Sequence, residues 1–178
     1  LADISAMGTN TIDIMPGSGF GERRAAAVRT LRVGDADALA QLGYVDSVTP
    51  SVSVSAGLRY RNVDASSAVT GVGEQFFRVR GYSFTAGQAF DEDAVRRQAQ
   101  VAVIDDNTHR TLFPNGEPAS SALGQVILLG SVPVRIVGVT ARKSSAFGNS
   151  EALNIWLPYT TAMSRLTGQD YVRSITVR

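Results

Sequence analysis

Several groups of residues in this chain have types and spacings that could do chemistry. Gly17-Ser18-Gly19-Phe20-Gly21 follows an expected strand, as a dinucleotide-binding loop would. The spacing fails, because the third glycine of that fingerprint would stand where Glu22 does. A flexible surface loop is the better account. Val101–Ile104 followed by Asp105-Asp106 has the look of a strand end that carries a metal. Calcium needs about six to eight oxygens, and Asp105, Asp106 and Asn107 supply too few alone. Capping of a helix by these carboxylates satisfies orphan amides without any ion. The single His109 cannot build a multi-histidine metal site. It also lacks a Gly-x-Ser-x-Gly nucleophile elbow, and is expected as an exposed or capping histidine. Asp91-Glu92-Asp93 reads as a solvated helix start rather than an acid–base pair. These residues offer no catalytic and no metal site.

Two features point to contact rather than catalysis. Arg59, Arg61, Arg78 and Arg80 alternate with apolar or aromatic residues, which on strands would line guanidinium groups along one face. That face suits a carboxylate-bearing partner or plain solvent equally well. Phe147 stands in a polar, Ser-rich loop, where an apolar ring invites contact with a partner or with its own domain.

The chain that must position these residues has 178 of them, enough for one or two domains at ~150 residues each. Hydrophobic residues make up 44% and charged residues 19%, which places the chain with ordinary globular proteins and against disorder. The net charge of +1 argues against a general nucleic-acid or membrane-surface binder. The chain has no Cys, which removes disulfides, thiol catalysis, Cys-zinc sites and iron–sulfur clusters. No stretch approaches the ~18 apolar residues of a membrane helix, and no signal peptide is visible. A chain that begins at Leu1 is expected to be cut from something longer.

Patterning predicts a strand over Ala6–Met15, then a helix capped by Asp35 and running to Leu42. A long hairpin follows. Val45–Ser55 forms its first strand, Ala56-Gly57 turns the chain, and Leu58–Arg61 and Val63–Val72 stay extended. Glu74–Val79 forms a short helix, and Asp91 caps another over Ala94 and Val95. Val101–Ile104 is a buried strand, and Asp105 or Asp106 caps a helix ending at Phe113-Pro114. A second hairpin, Val126–Leu129 with Val132–Val139, turns at Gly130-Ser131. Ile155–Leu157 is a strand, Thr160 caps a helix through Leu166 that stops at Gly168, and Ser174–Val177 is the last strand. About seven strands and four or five short helices make the class α+β.

Taken in order, several blocks resemble one family. They are Gly8–Ile14 with Pro16-Gly17, Gly71-Val72-Gly73 with Phe76-Phe77, Val101–Ile104, Leu112-Phe113-Pro114, Leu123–Ile127, Ile136–Val139, Trp156–Thr160 and Ser174–Arg178. The series is similar to the periplasmic core domain of MacB-type ABC transporters, which export macrolides, peptides or siderophores and are related to lipoprotein-release permeases. Asp105-Asp106-Asn107-Thr108 and the loop Ser144–Ser150 resemble the macrolide-exporter branch.

The resemblance implies a porter-like βαβ half plus a mostly β inserted, sabre-like subdomain. Residues 1–57 and 170–178 would form the porter-like part, its second half incomplete, and 58–169 the insertion. It implies no enzyme in this fragment, with ATP and Mg bound in a cytoplasmic domain outside it. It implies a location in the periplasm, as part of an inner-membrane protein of a Gram-negative bacterium. The implied partners are a periplasmic adaptor (membrane fusion) protein, an outer-membrane channel and a second copy in a homodimer, with no nucleic acid. Phe147 matches the position of an apolar gate on the substrate path. Arg59 and Arg61 are assigned to adaptor contact from charge alone. The alternative is a free-standing periplasmic ligand-binding or lipoprotein-handling module. A hydrolase using His109 is the third reading.

Overall fold

A computed structural model of the chain describes residues 11–16, 31–142, 152–168 and 174–178. In chain order the elements are β1 (Ile12–Ile14), α1 (Val33–Ala40), β2 (Val48–Tyr60), β3 (Val63–Val72), α2 (Phe76–Val79), β4 (Phe84–Gly87), α3 (Glu92–Arg96), β5 (Val101–Ile104) and α4 (Asp106–Leu112). A 3₁₀ turn (Ala119–Ala122), β6 (Val126–Leu129), β7 (Val132–Thr140), β8 (Asn154–Pro158), α5 (Tyr159–Thr161) and β9 (Ser174–Val177) complete them. A wider π-type turn, Ala162–Thr167, continues α5. The class is α+β.

The strand pairings close on themselves. β2 pairs with β3, β3 with β8, β8 with β5, β5 with β7, β7 with β6, and β6 returns to β2. These six strands form a ring, so their edges are satisfied by one another. β4 adds to β7 outside the ring, and β9 and β1 add to the other end of β2.

Alternation along the ring strands separates two cores. Leu58, Ala102, Ile104, Ile127, Leu129, Val134, Ile136, Ile155 and Leu157 point inward and are buried. Each large aliphatic side chain of this set stabilises the fold by about 1.5–3 kcal/mol. Val103 and Trp156, register partners on β5 and β8, point outward into an aromatic layer. Phe77 of α2 is its centre, edge-on to Phe84, Phe90 and Trp156 at 5.4, 5.8 and 5.6 Å. A third cluster packs Ala36 of α1 on Ile175 of β9.

Some expected boundaries move. β2 does not turn at Ala56-Gly57 but runs on to Tyr60, and the hairpin turns at Arg61-Asn62, with Tyr60 opposite Val63. Gly57 is kept in the strand because its carbonyl accepts the Gly130 N–H at 2.7 Å, where the second hairpin turns against it. Asp35 is not the N-cap of α1. Arg32 holds that position, and the Asp35 carboxylate reaches back to the Arg32 N–H at 2.8 Å. Thr160 caps nothing, because α5 starts at Tyr159, directly after Pro158. The Thr160 hydroxyl donates instead to the Val95 carbonyl, and the Thr161 hydroxyl to Ala99 at 2.8 Å. β4 was not expected from the sequence. Asp91 does cap α3, accepting the Ala94 N–H at 2.8 Å, and the Gly130 hairpin and β9 fall where expected.

α5 lies against β3 because Gly71 has no side chain. A Cβ there would come within 2.7 Å of both Ala162 Cβ and Val52 Cγ1. The first expected strand is observed over Ile12–Ile14. Its earlier part and the glycine-rich loop at Gly17–Gly21 lie outside the described residues.

Candidate functional site: the anchored root of the 143–151 segment

The segment that carries Phe147 leaves β7 and enters β8. Phe147 itself lies outside the described residues, but both ends of its segment are fixed. On the β7 side, Phe84 of β4 pairs with Thr140, and the Ala141 N–H donates to the Ser83 carbonyl at 2.8 Å. On the β8 side the root is held by side chains.

Asp105 does that holding. Its Oδ1 accepts the Thr108 N–H at 2.8 Å and the Thr108 hydroxyl at 2.5 Å, so it is the N-cap of α4. Its Oδ2 accepts the Asn154 side-chain amide at 3.0 Å. The Thr108 hydroxyl lies 3.2 Å from the Asn154 carbonyl, and the Asn107 amide donates to the Ala152 carbonyl at 3.2 Å. One carboxylate thus starts a helix and pins the strand that follows the segment. Charge-assisted bonds of this kind are stronger than neutral ones.

Asp106, the other carboxylate considered for metal, and Asp93 of the acidic run are also committed. Asp106 pairs with Arg110 at 3.1 Å, and Asp93 pairs with Arg96 and Arg97 at 3.3 and 2.6 Å. No group of three or more metal-ligating side chains occurs among the described residues.

His109 departs from expectation. It is neither exposed nor capping but buried, stacked on Phe113 with ring centroids 5.4 Å apart. Phe113 in turn meets Tyr60, so the imidazole is part of the wall between α4 and the ring. It belongs there because α4 turns that face onto apolar residues, a burial that its lone occurrence in the sequence does not signal.

The four arginines split into two pairs. Arg78 and Arg80 are on and just after α2, not on a strand. Arg78 reaches Asp46 at 3.0 Å, and Arg80 reaches Asp13 at 2.7 Å and Thr176 at 3.2 Å, tying α2 to the β1–β9 ribbon. Arg59 and Arg61 are at the β2–β3 tip. Arg59 is 3.9 Å from Asp64, with both side chains well exposed, a pairing worth little. Arg61 lies over the Tyr60 ring at 5.1 Å, with φ at +50° in the turn. Arg59 is opposite Leu128 on β6, and Val126 is opposite Arg135. Val126 and Leu128 are both exposed, so the tip is at once basic and apolar. Sequence reasoning missed Leu128, Val126 and Arg135, because nothing local shows that β6 closes against β2.

Two tyrosines have shifted phenols. Burial chiefly pushes Tyr82 above its ordinary range, opposed by Arg80 and helped by Asp105. Burial also raises Tyr159, with Asp37 and Glu74 adding to the effect.

A family model for the MacB-like periplasmic core domain matches residues 1–178. The chain belongs to the MacB-like periplasmic core domain family. The chain is 60% identical over 179 residues to a macrolide export ATP-binding/permease protein MacB of Shewanella sp. (strain ANA-3), covering all of this chain and 27% of that protein. It is 58% identical to a counterpart from Yersinia pestis bv. Antiqua (strain Antiqua), of which it covers 26%. The chain therefore spans about a quarter of the length of the curated relatives it matches. The crystal structure of the periplasmic region of MacB from Actinobacillus actinomycetemcomitans superposes with a TM-score of 0.85 at 34% identity, covering 100% of this chain and 78% of that one. The extracellular domain of the ABC-type transporter YknZ from Gram-positive bacteria shares the fold, with a TM-score of 0.73 at 19% identity over 95% of this chain and 83% of that one. Within this MacB-like domain, the Asp105–Thr108 motif holds Ala152 and Asn154, the described residues that follow position 151.

Proposed function

We propose that this chain is the periplasmic domain of an inner-membrane ABC exporter in a Gram-negative bacterium. It would work within a tripartite pump, coupling cytoplasmic ATP hydrolysis mechanically to extrusion of substrate. ATP and Mg²⁺ would bind a separate cytoplasmic domain, and this domain would contribute motion rather than catalysis. Substrate would pass between the two copies of a homodimer into a periplasmic adaptor protein, and from there into an outer-membrane channel. Residues 1–57 with 170–178 would form the porter-like part and 58–169 the inserted part, with β2 common to both.

The observation that carries this reading is likeness along the whole chain to proteins named for macrolide export. Macrolides are accordingly the first substrate to test. Phe147 is assigned to an apolar gate on the substrate path. Its segment is rooted on a braced strand rather than on another loop, as a gate that must return to one position requires. Arg59 and Arg61 are assigned to adaptor contact, where the exposed Leu128 adds an apolar anchor.

The test is macrolide export by the full-length transporter in cells that also carry the adaptor and channel. Phe147→Ala is expected to weaken export at equal expression and unchanged melting temperature. Unchanged export removes the gate assignment. Absence of any ATP-dependent macrolide export by the unaltered protein overturns the function itself.

A further inference from the structure

The loop that follows α4 reads Pro114-Asn115-Gly116-Glu117-Pro118, and all five residues are exposed. Asn115 is the one asparagine in the chain that a glycine follows. That order has a chemical consequence. A backbone nitrogen can attack the side-chain carbonyl carbon of the asparagine before it and close a five-membered ring. Glycine permits the approach, because no Cβ crowds its nitrogen. A stiff, β-branched residue hinders it.

The structure leaves this pair open. No atom lies within 4 Å of the place a Gly116 Cβ would take. Neither the Asn115 side-chain amide nor the Gly116 N–H has a hydrogen-bond partner among the described residues. Gly116 has φ at +74° and stands outside any helix or strand. The other described asparagines are placed differently. Asn62 precedes the β-branched Val63, which pairs with Tyr60 in the β2–β3 hairpin. Asn107 is on α4, and its amide donates to the Ala152 carbonyl at 3.2 Å. Asn154 is on β8, and its amide donates to Asp105 at 3.0 Å.

We propose that Asn115 is a site of spontaneous deamidation, with water as the only co-reactant. The Gly116 nitrogen gives up its proton to solvent and bonds to Asn115 Cγ. The Cγ–Nδ2 bond breaks, and the nitrogen takes back a proton and leaves as ammonia. Water then opens the ring at either carbonyl. Opening at Cγ leaves aspartate. Opening at the main-chain carbonyl leaves isoaspartate, with the chain running through the former side chain. Nothing is oxidised or reduced. Either product adds a negative charge two residues past Phe113, the C-cap of α4, where the helix carbonyls already carry partial negative charge. The inference stands independently of the export reading.

The test uses the full-length protein, incubated in H₂¹⁸O at mildly alkaline pH and then cleaved by trypsin in ordinary water. Cleavage after Arg61, Arg78, Arg97, Arg110 and Arg135 puts Asn62, Asn107 and Asn115 on separate peptides, each with no other asparagine. Mass spectrometry is expected to find ¹⁸O at position 115, split between aspartate and isoaspartate. Its rate there should exceed that at Asn62 or Asn107 at least about ten-fold, the factor that about 1.4 kcal/mol of barrier gives. Gly116→Ala is expected to slow the reaction by at least the same factor. A synthetic peptide of residues 111–120 is expected to react within about ten-fold of the folded protein, since no contact in the fold holds the pair back. An Asn115 that stays intact overturns the proposal, as does one that reacts more than about ten-fold slower in the protein than in the peptide. Equal conversion at all three asparagines, or conversion that Gly116→Ala does not slow, also overturns it.

Discussion

The side-chain amide of Asn154 donates to the Asp105 carboxylate at 3.0 Å, across 49 positions of sequence. This bond joins the cap of α4 to the first residue of β8. Asp105→Ala is expected to cost about 1–2 kcal/mol, the usual penalty for losing an N-cap. Asn154→Ala should cost less. A double-mutant cycle in urea should show coupling of at least about 0.5 kcal/mol. Additive effects would mean that the cap and the strand root act independently.

Gly71→Ala tests the seat of α5. The added methyl would press on Ala162, Val52 and the Tyr159 Cα at 2.7, 2.7 and 2.9 Å. Two of these neighbours are a short side chain and backbone, neither of which can swing aside. Overpacking of this kind costs about 1–3 kcal/mol, read as a lower urea midpoint with an unchanged slope. A midpoint equal to that of the original chain would show that α5 is free to lift off β3.

Leu58 and Leu129 face each other across the β2–β6 contact that closes the ring, and both are fully buried. Leu129→Ala should cost about 2–5 kcal/mol, the range for a leucine truncated in a core. Val126→Ala, on the outward side of the same strand, should cost under about 1 kcal/mol. Comparable losses at the two positions would contradict the inward and outward assignment of β6.

Alkaline pH should loosen the fold. Tyr82 and Tyr159 hold their phenolic protons more tightly folded than unfolded, since both are raised from 10.0. Their contribution is complete below pH 10.0 and is lost as pH climbs past that value through the raised folded values. Stability measured from pH 8 to 11 should fall, and Tyr82→Phe should reduce the fall. A pH-independent midpoint over that range would refute the shift.

Local chemistry made much of the fold legible. Asp91 and Asp105 announce helix starts, and Gly130-Ser131 announces a hairpin, because each acts within a few residues. Long-range pairing was not legible. No periodicity tells that Gly57 stays in its strand because Gly130 docks on it, or that Arg59 meets Leu128. His109 misleads for the same reason, since its burial depends on Phe113 and Tyr60 arriving from different elements. At the candidate site, Asp105 was visible as a cap but not as an anchor. Its second oxygen serves a residue whose position only the sheet determines.

β2 belongs to both ends of the molecule. Its first residues pair with β9, and its last close the ring through β6. The strand runs without a break from Val48 to Tyr60, about 43 Å at the usual rise. It therefore acts as a strut. One unbroken strand thus links the β1–β9 ribbon to the Arg59–Arg61 tip.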